Sequence, residues 1–543
     1  MKKQSVLSAG MTLLTAGLML GVTSCSPSEP DVQPVIITND TFWSDTDGNL
    51  ICSQGGGIFR FTDPTDGQDK YFWYGAHYAE ADSFAANPVR KYQHCSFQGV
   101  TLYTSVDLGH WQRRTDVLTP KAVGQHEWLG RLGVCPIKEL GLYALLIQHD
   151  ASLLIALAKS PLGPFEPYRH IDMTPIIGTP NTGDQTVFVD DDGTGYLVYS
   201  YGRGRNRIYL SQIGVDQKTD SIGLLDCTEL FHGQSREGNC MFKYDGKYYI
   251  SASNIYGWDS SHAFYLSSNN IRGPYTAPNG DMKIMRGCAQ DYAHVSQTGF
   301  YLTVHGTEQD LVLYCGDRWT DFANNGLGYN QWVPIAFDQD NEPIFNSLSQ
   351  WRLDAKRGRW GVGPENNYVL NGSFEADRRI IPLAVKPRQE VLTGWDTEVL
   401  SGNAVSLDNP SSPHLNRLNS STDNRFVVGK MSLCISDSVA FERRVSQKVR
   451  EKACIPLPDG NYKLSATVRL TGSLSEASMY AISGADTTEF SLLPNNSANE
   501  WHTVSLNVPV LQGKVIVGFH AKGEALAEML VDDVALVRIV EQE

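Results

Sequence analysis

The sequence predicts an all-β protein, a five-bladed β-propeller followed by a β-sandwich of jelly-roll type. Three observations carry this. Strand, turn, strand units recur near Gly57 (GIFRFTDPTDGQDKYFWYGA), Leu132 (LGVCPIKELGLYALLIQHD), Val187, Met241 and Val295, the last three starting 54 residues apart. Each unit alternates apolar and polar residues and turns on Gly or Asp-Gly, as half-buried antiparallel hairpins do. After Trp360-Gly361-Val362-Gly363-Pro364 the composition shifts to a second all-β segment with no helical periodicity.

Repeats of this length, with about four short strands each, indicate propeller blades, and five repeats indicate five blades. Parallel solenoid rungs are shorter and lack tight hairpins. Two units close on similar phrases, Ser160-Pro161-Leu162-Gly163-Pro164-Phe165 and Asn270-Ile271-Arg272-Gly273-Pro274-Tyr275. In the second segment NYKLSATVRL, WHTVSLNVPV and GKVIVGFHAKG alternate strongly, which implies two packed antiparallel sheets. The expected boundaries are a propeller over 35–362 and a sandwich over 366–543.

The amino terminus opens with Lys2 and Lys3 and then runs apolar from Val6 to Val22, too short for a retained membrane span. Residues 1–24 read as a signal peptide. Val22-Thr23-Ser24-Cys25 resembles a lipobox, which makes Cys25 the expected lipidated residue, and residues 25–34 a Ser- and Pro-rich tether. The expected location is the outer membrane of a Gram-negative bacterium, on its periplasmic or cell-surface face, with membrane contact only through the lipid and a monomeric state.

Against 45 Lys and Arg stand 60 Asp and Glu, a net charge of −15, which excludes nucleic acid and anionic membrane surfaces as expected partners. Ten cysteines fall at irregular spacing without a CxxC pair. Most read as small buried residues, with Cys434 and Cys454 as one candidate bridge. No P-loop, HExxH, GxSxG or dinucleotide-binding fingerprint occurs in a fitting context.

Chemistry points to two carboxylates. Glu237 stands directly before one strand, turn, strand unit, and Asp184 just before its near copy Phe188 to Ser200. A glycosidase needs such a pair, one to protonate a leaving sugar oxygen and the other to keep that acid protonated. The bland readings are a strand-entrance charge for Glu237 and a turn cap for Asp184; Asp190-Asp191-Asp192-Gly193 reads as a hairpin turn.

Five phrases in order resemble glycoside hydrolase family 43, and within it the branch of exo-β-1,3-galactanases. They are Asp45 to Gly57, Gly183-Asp184 to Gly193, Arg236-Glu237 with Tyr256-Gly257-Trp258, Ser296-Gln297-Thr298, and Gly316-Asp317-Arg318-Trp319. The resemblance implies Glu237 as general acid, Asp184 as the carboxylate that raises and orients it, and Gln297 as the amide that positions the attacking water. Most of the family has an Asp base where this chain has Gln54. The branch has a Glu-Arg-Pro-Lys phrase where this chain reads Gly130-Arg131-Leu132-Gly133, so a sugar-contacting Glu is missing and Glu127 is its candidate substitute. Tyr256 and Trp258 are expected stacking platforms, Gln54 a substrate contact, and Arg318 a partner of a substrate hydroxyl or of Asp184 or Glu237.

The sandwich resembles the jelly-roll modules of carbohydrate-active enzymes, whose "NGSFE" and "DDV" phrases can hold calcium. Glu375 and Asp533 are therefore candidate ligands for a structural calcium; no cofactor is expected for catalysis. The expected function is exo-acting, inverting release of terminal galactose or a related sugar from an arabinogalactan-type polysaccharide, with acid and base roughly 6.5 to 9.5 Å apart. Two alternatives are an α-L-arabinofuranosidase or β-galactofuranosidase on the same scaffold, and a non-catalytic glycan-binding lipoprotein.

Overall fold

The structure is a computed structural model describing residues 33–86, 95–126, 128–149, 152–257, 259–318, 328–377, 391–407, 415–418, 429, 431–451, 453–493 and 499–540. Cys25, Glu127 and Trp258 lie outside the described residues.

Five antiparallel sheets form the blades. Their innermost strands are Gln54–Thr62, Gly130–Ile137, Thr182–Val189, Glu237–Tyr244 and Gln297–His305. Successive innermost strands pack side by side, and the fifth packs on the first, which closes the ring. Four blades have four strands, and the third has an extra one, Thr228–His232, paired to its third strand. The two repeated Gly-Pro phrases both carry a cis peptide bond, at Gly163-Pro164 and Gly273-Pro274.

The seam between blades 5 and 1 is built from tryptophan. Trp73, Trp111, Trp332 and Trp351 are almost completely buried there, with Trp73 and Trp332 ring centroids 4.9 Å apart. A separate three-stranded sheet crosses this seam: Val35–Thr38 pairs with Gln350–Asp354, which pairs with Arg359–Val362. Asn39 fastens it by donating to Trp332 O and Leu348 O at 2.8 and 2.7 Å and accepting from Trp332 N. Amide pairing of this kind satisfies backbone groups that the ring closure would otherwise bury alone.

The carboxy-terminal segment is a sandwich of two five-stranded antiparallel sheets. The alternation of His502–Val510 places Val504, Leu506, Val508 and Val510 inward and the intervening residues outward, the burial expected of a strand with one wet face. Arg450 ties the sandwich to the propeller side, donating to Tyr368 O, Ser347 O and Asn367 O at 2.9, 2.8 and 3.2 Å. A cleft of about 250 Å³ lies beside this contact, lined by Asp40, His294, Arg318, Arg450 and Asp533 among others. Cys434 and Cys454 do not form the bridge considered from sequence: both are free thiols, one buried and one exposed.

Candidate active site

Each blade carries the same irregularity at one end of its innermost strand. The register between first and second strands slips between Gln54 and Gly57, Gly130 and Leu132, Thr182 and Gln185, Glu237 and Cys240, and Thr298 and Phe300. A β-bulge adds a residue, bends the strand and re-aims a side chain. Here the bulges at one end of the axis bring Arg131, Asp184, Glu237 and Gln297 into contact with one another.

Arg131 is the hub. It is buried; its Nε lies 3.1 Å from Asp184 Oδ2, and its Nη2 donates to Gln297 Oε1 at 3.0 Å. Nη1 donates to Thr298 O and Gly299 O at 3.3 Å and stands 3.8 Å from Asp317 Oδ2. Asp184 also accepts from Gly238 N at 2.8 Å and lies 3.8 Å from Arg205 Nη2. Glu237 is held at both oxygens: Gln297 Nε2 donates to Oε1 at 2.7 Å, and Arg205 Nη1 pairs with Oε2.

Three carboxyl groups, Asp184, Glu237 and Asp317, thus share two guanidinium groups, Arg131 and Arg205. Buried charge must be nearly balanced, so one carboxyl is favoured to hold a proton. Burial first, and the Asp184 charge second, push Glu237 up to about 8. Asp184 stays below its ordinary value because, although burial opposes ionisation, Arg131 and Arg205 favour it. Asp317, pushed up by burial to about 6, is partly offset by Arg131 and the Gly55 N–H. Two carboxyls whose surroundings separate their pKa values are the pattern of an acid with its partner.

Gln297, expected to position the attacking water, donates from Nε2 to Glu237 Oε1 at 2.7 Å in the unliganded site. Several expectations need correction. Arg318 does not meet Asp184 or Glu237. It donates to Asp40 Oδ1 at 2.8 Å and lines the cleft toward the sandwich, because strand alternation sends it to the face opposite Asp317. Gln54 is buried and donates to Gly328 O at 3.3 Å. Tyr256 is only 8 % exposed, leaving little ring for stacking. The calcium expected at Glu375 and Asp533 is neither borne out nor overturned: among the described residues no group of three or more His, Cys, Asp or Glu side chains that could hold a metal ion is found, and Glu375 Oε1 accepts from Met431 N at 2.8 Å.

Sequence reasoning missed Arg131, Arg205 and Asp317 as site residues. Arg131 is the one charge in an otherwise apolar strand, a usable signal. Arg205 sits in the basic loop Gly202-Arg203-Gly204-Arg205, and Asp317 directly precedes Arg318. A cavity of about 610 Å³ opens around Phe59, Val187, Met241 and Tyr301, further along the same inner strands and without Asp184, Glu237 or Asp317 in its lining.

The family model for glycosyl hydrolases family 43 matches residues 84–326. Among solved structures, an exo-β-1,3-galactanase from Phanerochaete chrysosporium with β-1,3-galactotriose is 18% identical, with 92% of this chain and 100% of that one covered and a TM-score of 0.52. An exo-β-1,3-galactanase from Clostridium thermocellum is likewise 18% identical, covering 93% and 100%, with a TM-score of 0.52. At that identity the likeness shows the fold. The search of curated proteins finds no match. The family match falls on the blades that supply Arg131, Asp184, Glu237 and Gln297, and this chain therefore carries a glycoside hydrolase domain of family 43.

Proposed function

We propose that the chain is an exo-acting, inverting glycosidase that releases terminal galactose, or a related sugar, from an arabinogalactan-type polysaccharide. The observation that carries the reading is the opposed behaviour of the two neighbouring carboxyls: Glu237 pushed up to about 8 and Asp184 held down. Glu237 is then the acid that gives its proton to the leaving glycosidic oxygen. Asp184 supplies the standing negative charge that keeps the proton on Glu237, and Gln297 fixes the carboxyl plane by donating to Oε1. General acid help of this kind is worth about 10² to 10⁴ in rate. The choice of galactose is supported by the galactanases that share the fold.

A furanoside-cleaving second reading is favoured by Gly130. An added Cβ there would lie 2.9 Å from the Trp128 ring, so the place of the missing sugar-contacting Glu has an aromatic neighbour, and a polar contact to the sugar is replaced by an apolar wall. Attachment through a lipid on Cys25, and with it an outer-membrane location, remains part of the proposal; a C25S variant that leaves the membrane fraction supports it.

Proton NMR of the first anomer released tests the main reading. Incubation with β-1,3-galactan should release α-galactose, and Glu237→Gln should release none. A β anomer overturns inversion, arabinose or galactofuranose from a furanoside-bearing arabinogalactan selects the second reading, and sugar release by E237Q at the wild-type rate removes Glu237 from the acid role.

A further inference from the structure

Arg205 occupies the oxygen of Glu237 that the proton needs. Gln297 Nε2 donates to Oε1, which makes Oε1 an acceptor and leaves Oε2 as the oxygen that must carry the acidic hydrogen. Oε2 is paired with Arg205 Nη1. A guanidinium has no lone pair to offer, so an O–H on Oε2 would set donor against donor. Arg205 and the proton therefore exclude one another at this oxygen.

Arg205 has open space beside it and a second acceptor in reach. Its side chain is 37 % exposed, against 5 % for Glu237 and Arg131. It stands on a loop with two successive left-handed residues, Gly204 at φ +86° and Arg205 at φ +53°. A second carboxylate is already within reach, Asp184 Oδ1 at 3.8 Å from Nη2. The other polar groups around Glu237 are fixed from their own strands: Asp184 from blade 3, Arg131 from blade 2 with Asp317 of blade 5 behind it, and Gln297 from blade 5.

We propose that Arg205 is a positioning residue that competes with a proton for Glu237: in the unliganded site it holds Oε2 whenever Glu237 is ionised, and the leaving-group portion of the substrate displaces it toward Asp184. As Arg205 leaves, Glu237 takes one proton from solvent at Oε2. That proton is the one passed to the glycosidic oxygen as the bond to the anomeric carbon breaks, and the attacking water supplies the hydroxyl of the released sugar and the proton that restores the balance. Substrate binding is thereby coupled to proton uptake. This rests on Glu237 being the acid.

The test compares the alkaline limbs of kcat/KM, which reports the free enzyme, and kcat, which reports the complex, for the full chain acting on β-1,3-galactobiose. In the wild type the kcat limb should lie about one pH unit above the kcat/KM limb, because Arg205 opposes the proton only in the free enzyme. In Arg205→Met the kcat/KM limb should rise to meet the kcat limb, and in Arg205→Lys, which keeps a cation, it should fall between the two. Coincident limbs in the wild type, or an R205M limb that does not move, overturn the exchange. Infrared titration of the Glu237 carboxyl band in substrate-free R205M and R205K gives a readout independent of turnover, and an unchanged midpoint overturns it too. E237Q separates the two ideas: wild-type activity in E237Q removes the acid assignment, whereas an inactive E237Q with an unmoved R205M limb removes only the exchange.

Discussion

The backbone N–H of Gly238 donates to Asp184 Oδ2 at 2.8 Å, so the residue after Glu237 in blade 4 fastens the carboxylate of blade 3. Gly238 can do this because its φ is +61°, and because no Cβ stands between it and Thr298 O, which an added Cβ would approach to 2.4 Å. Gly238→Ala should therefore destabilise the protein by about 1 to 3 kcal/mol and lower kcat by about a hundredfold, the cost of moving both carboxyls by a fraction of an ångström to one ångström. Denaturant unfolding and kcat measured on the same preparation check this; wild-type kcat in G238A would show that the bulge does not set the pair.

Arg131 joins three blades through its guanidinium, by ion pairs and by hydrogen bonds to Gln297, Thr298 and Gly299. Replacing it with Met keeps much of its volume and leaves Asp184, Glu237 and Asp317 buried without their shared cation. Breaking a buried ion cluster by removing one partner costs about 3 to 5 kcal/mol. R131M should show that loss in urea at neutral pH and recover part of it at lower pH as the carboxyls are protonated. A loss that does not depend on pH would mean Arg131 acts through packing.

The repeat made the blade count legible, since alternating hairpins leave a period that a linear reading can count. The site was legible only where a residue type announced itself. Glu237 and Asp184 stand at the starts of adjacent innermost strands and both meet Arg205, but their other partners come from bulges that shift strand parity by one, and parity decides whether Asp317 or Arg318 faces the axis. The innermost strands begin up to five residues ahead of the marked repeats at Gly57, Leu132, Val187 and Met241, because the bulged residues break the alternation that marks a strand. In blade 5 the marked Val295 belongs instead to a left-handed turn from Tyr292 to Val295 that no local pattern signals.

The raised pKa of Glu237 has a cost in stability. Below about pH 4.5 the folded and unfolded chains both hold this proton. Between 4.5 and about 8 the unfolded chain loses it while the folded one keeps it, so the fold is weakened as pH rises through that window and the loss levels off above it. The slope is up to about 1.4 kcal/mol per pH unit. E237Q cannot ionise and should escape this term, melting higher than wild type at pH 8 by a margin that closes toward pH 5. Scanning calorimetry at both pH values decides; a lower melting temperature of E237Q at both would show that the carboxylate and Arg205 stabilise the fold together.

Gln297 depends on the sandwich through a chain of contacts. Arg450 donates to Ser347 O at 2.8 Å, Ser347 Oγ donates to Asp291 Oδ2 and lies 2.7 Å from His294 Nδ1, and His294 Nε2 lies 3.0 Å from Asp40 Oδ2. Asp291 precedes the four left-handed residues 292–295, of which His294 is the third, and they lead through Ser296 into Gln297. Left-handed non-glycine residues are held only where surroundings fix them, and here the fixing groups face the sandwich. Arg450→Met leaves three carbonyls without their donor, a loss of about 2 to 3 kcal/mol, and should lower kcat more than it raises KM because Gln297 donates to Glu237 Oε1. A chain ending at residue 364 should lose both stability and activity in the same direction. Full kcat in that shortened chain would make the sandwich an independent appendage and break the link to Gln297.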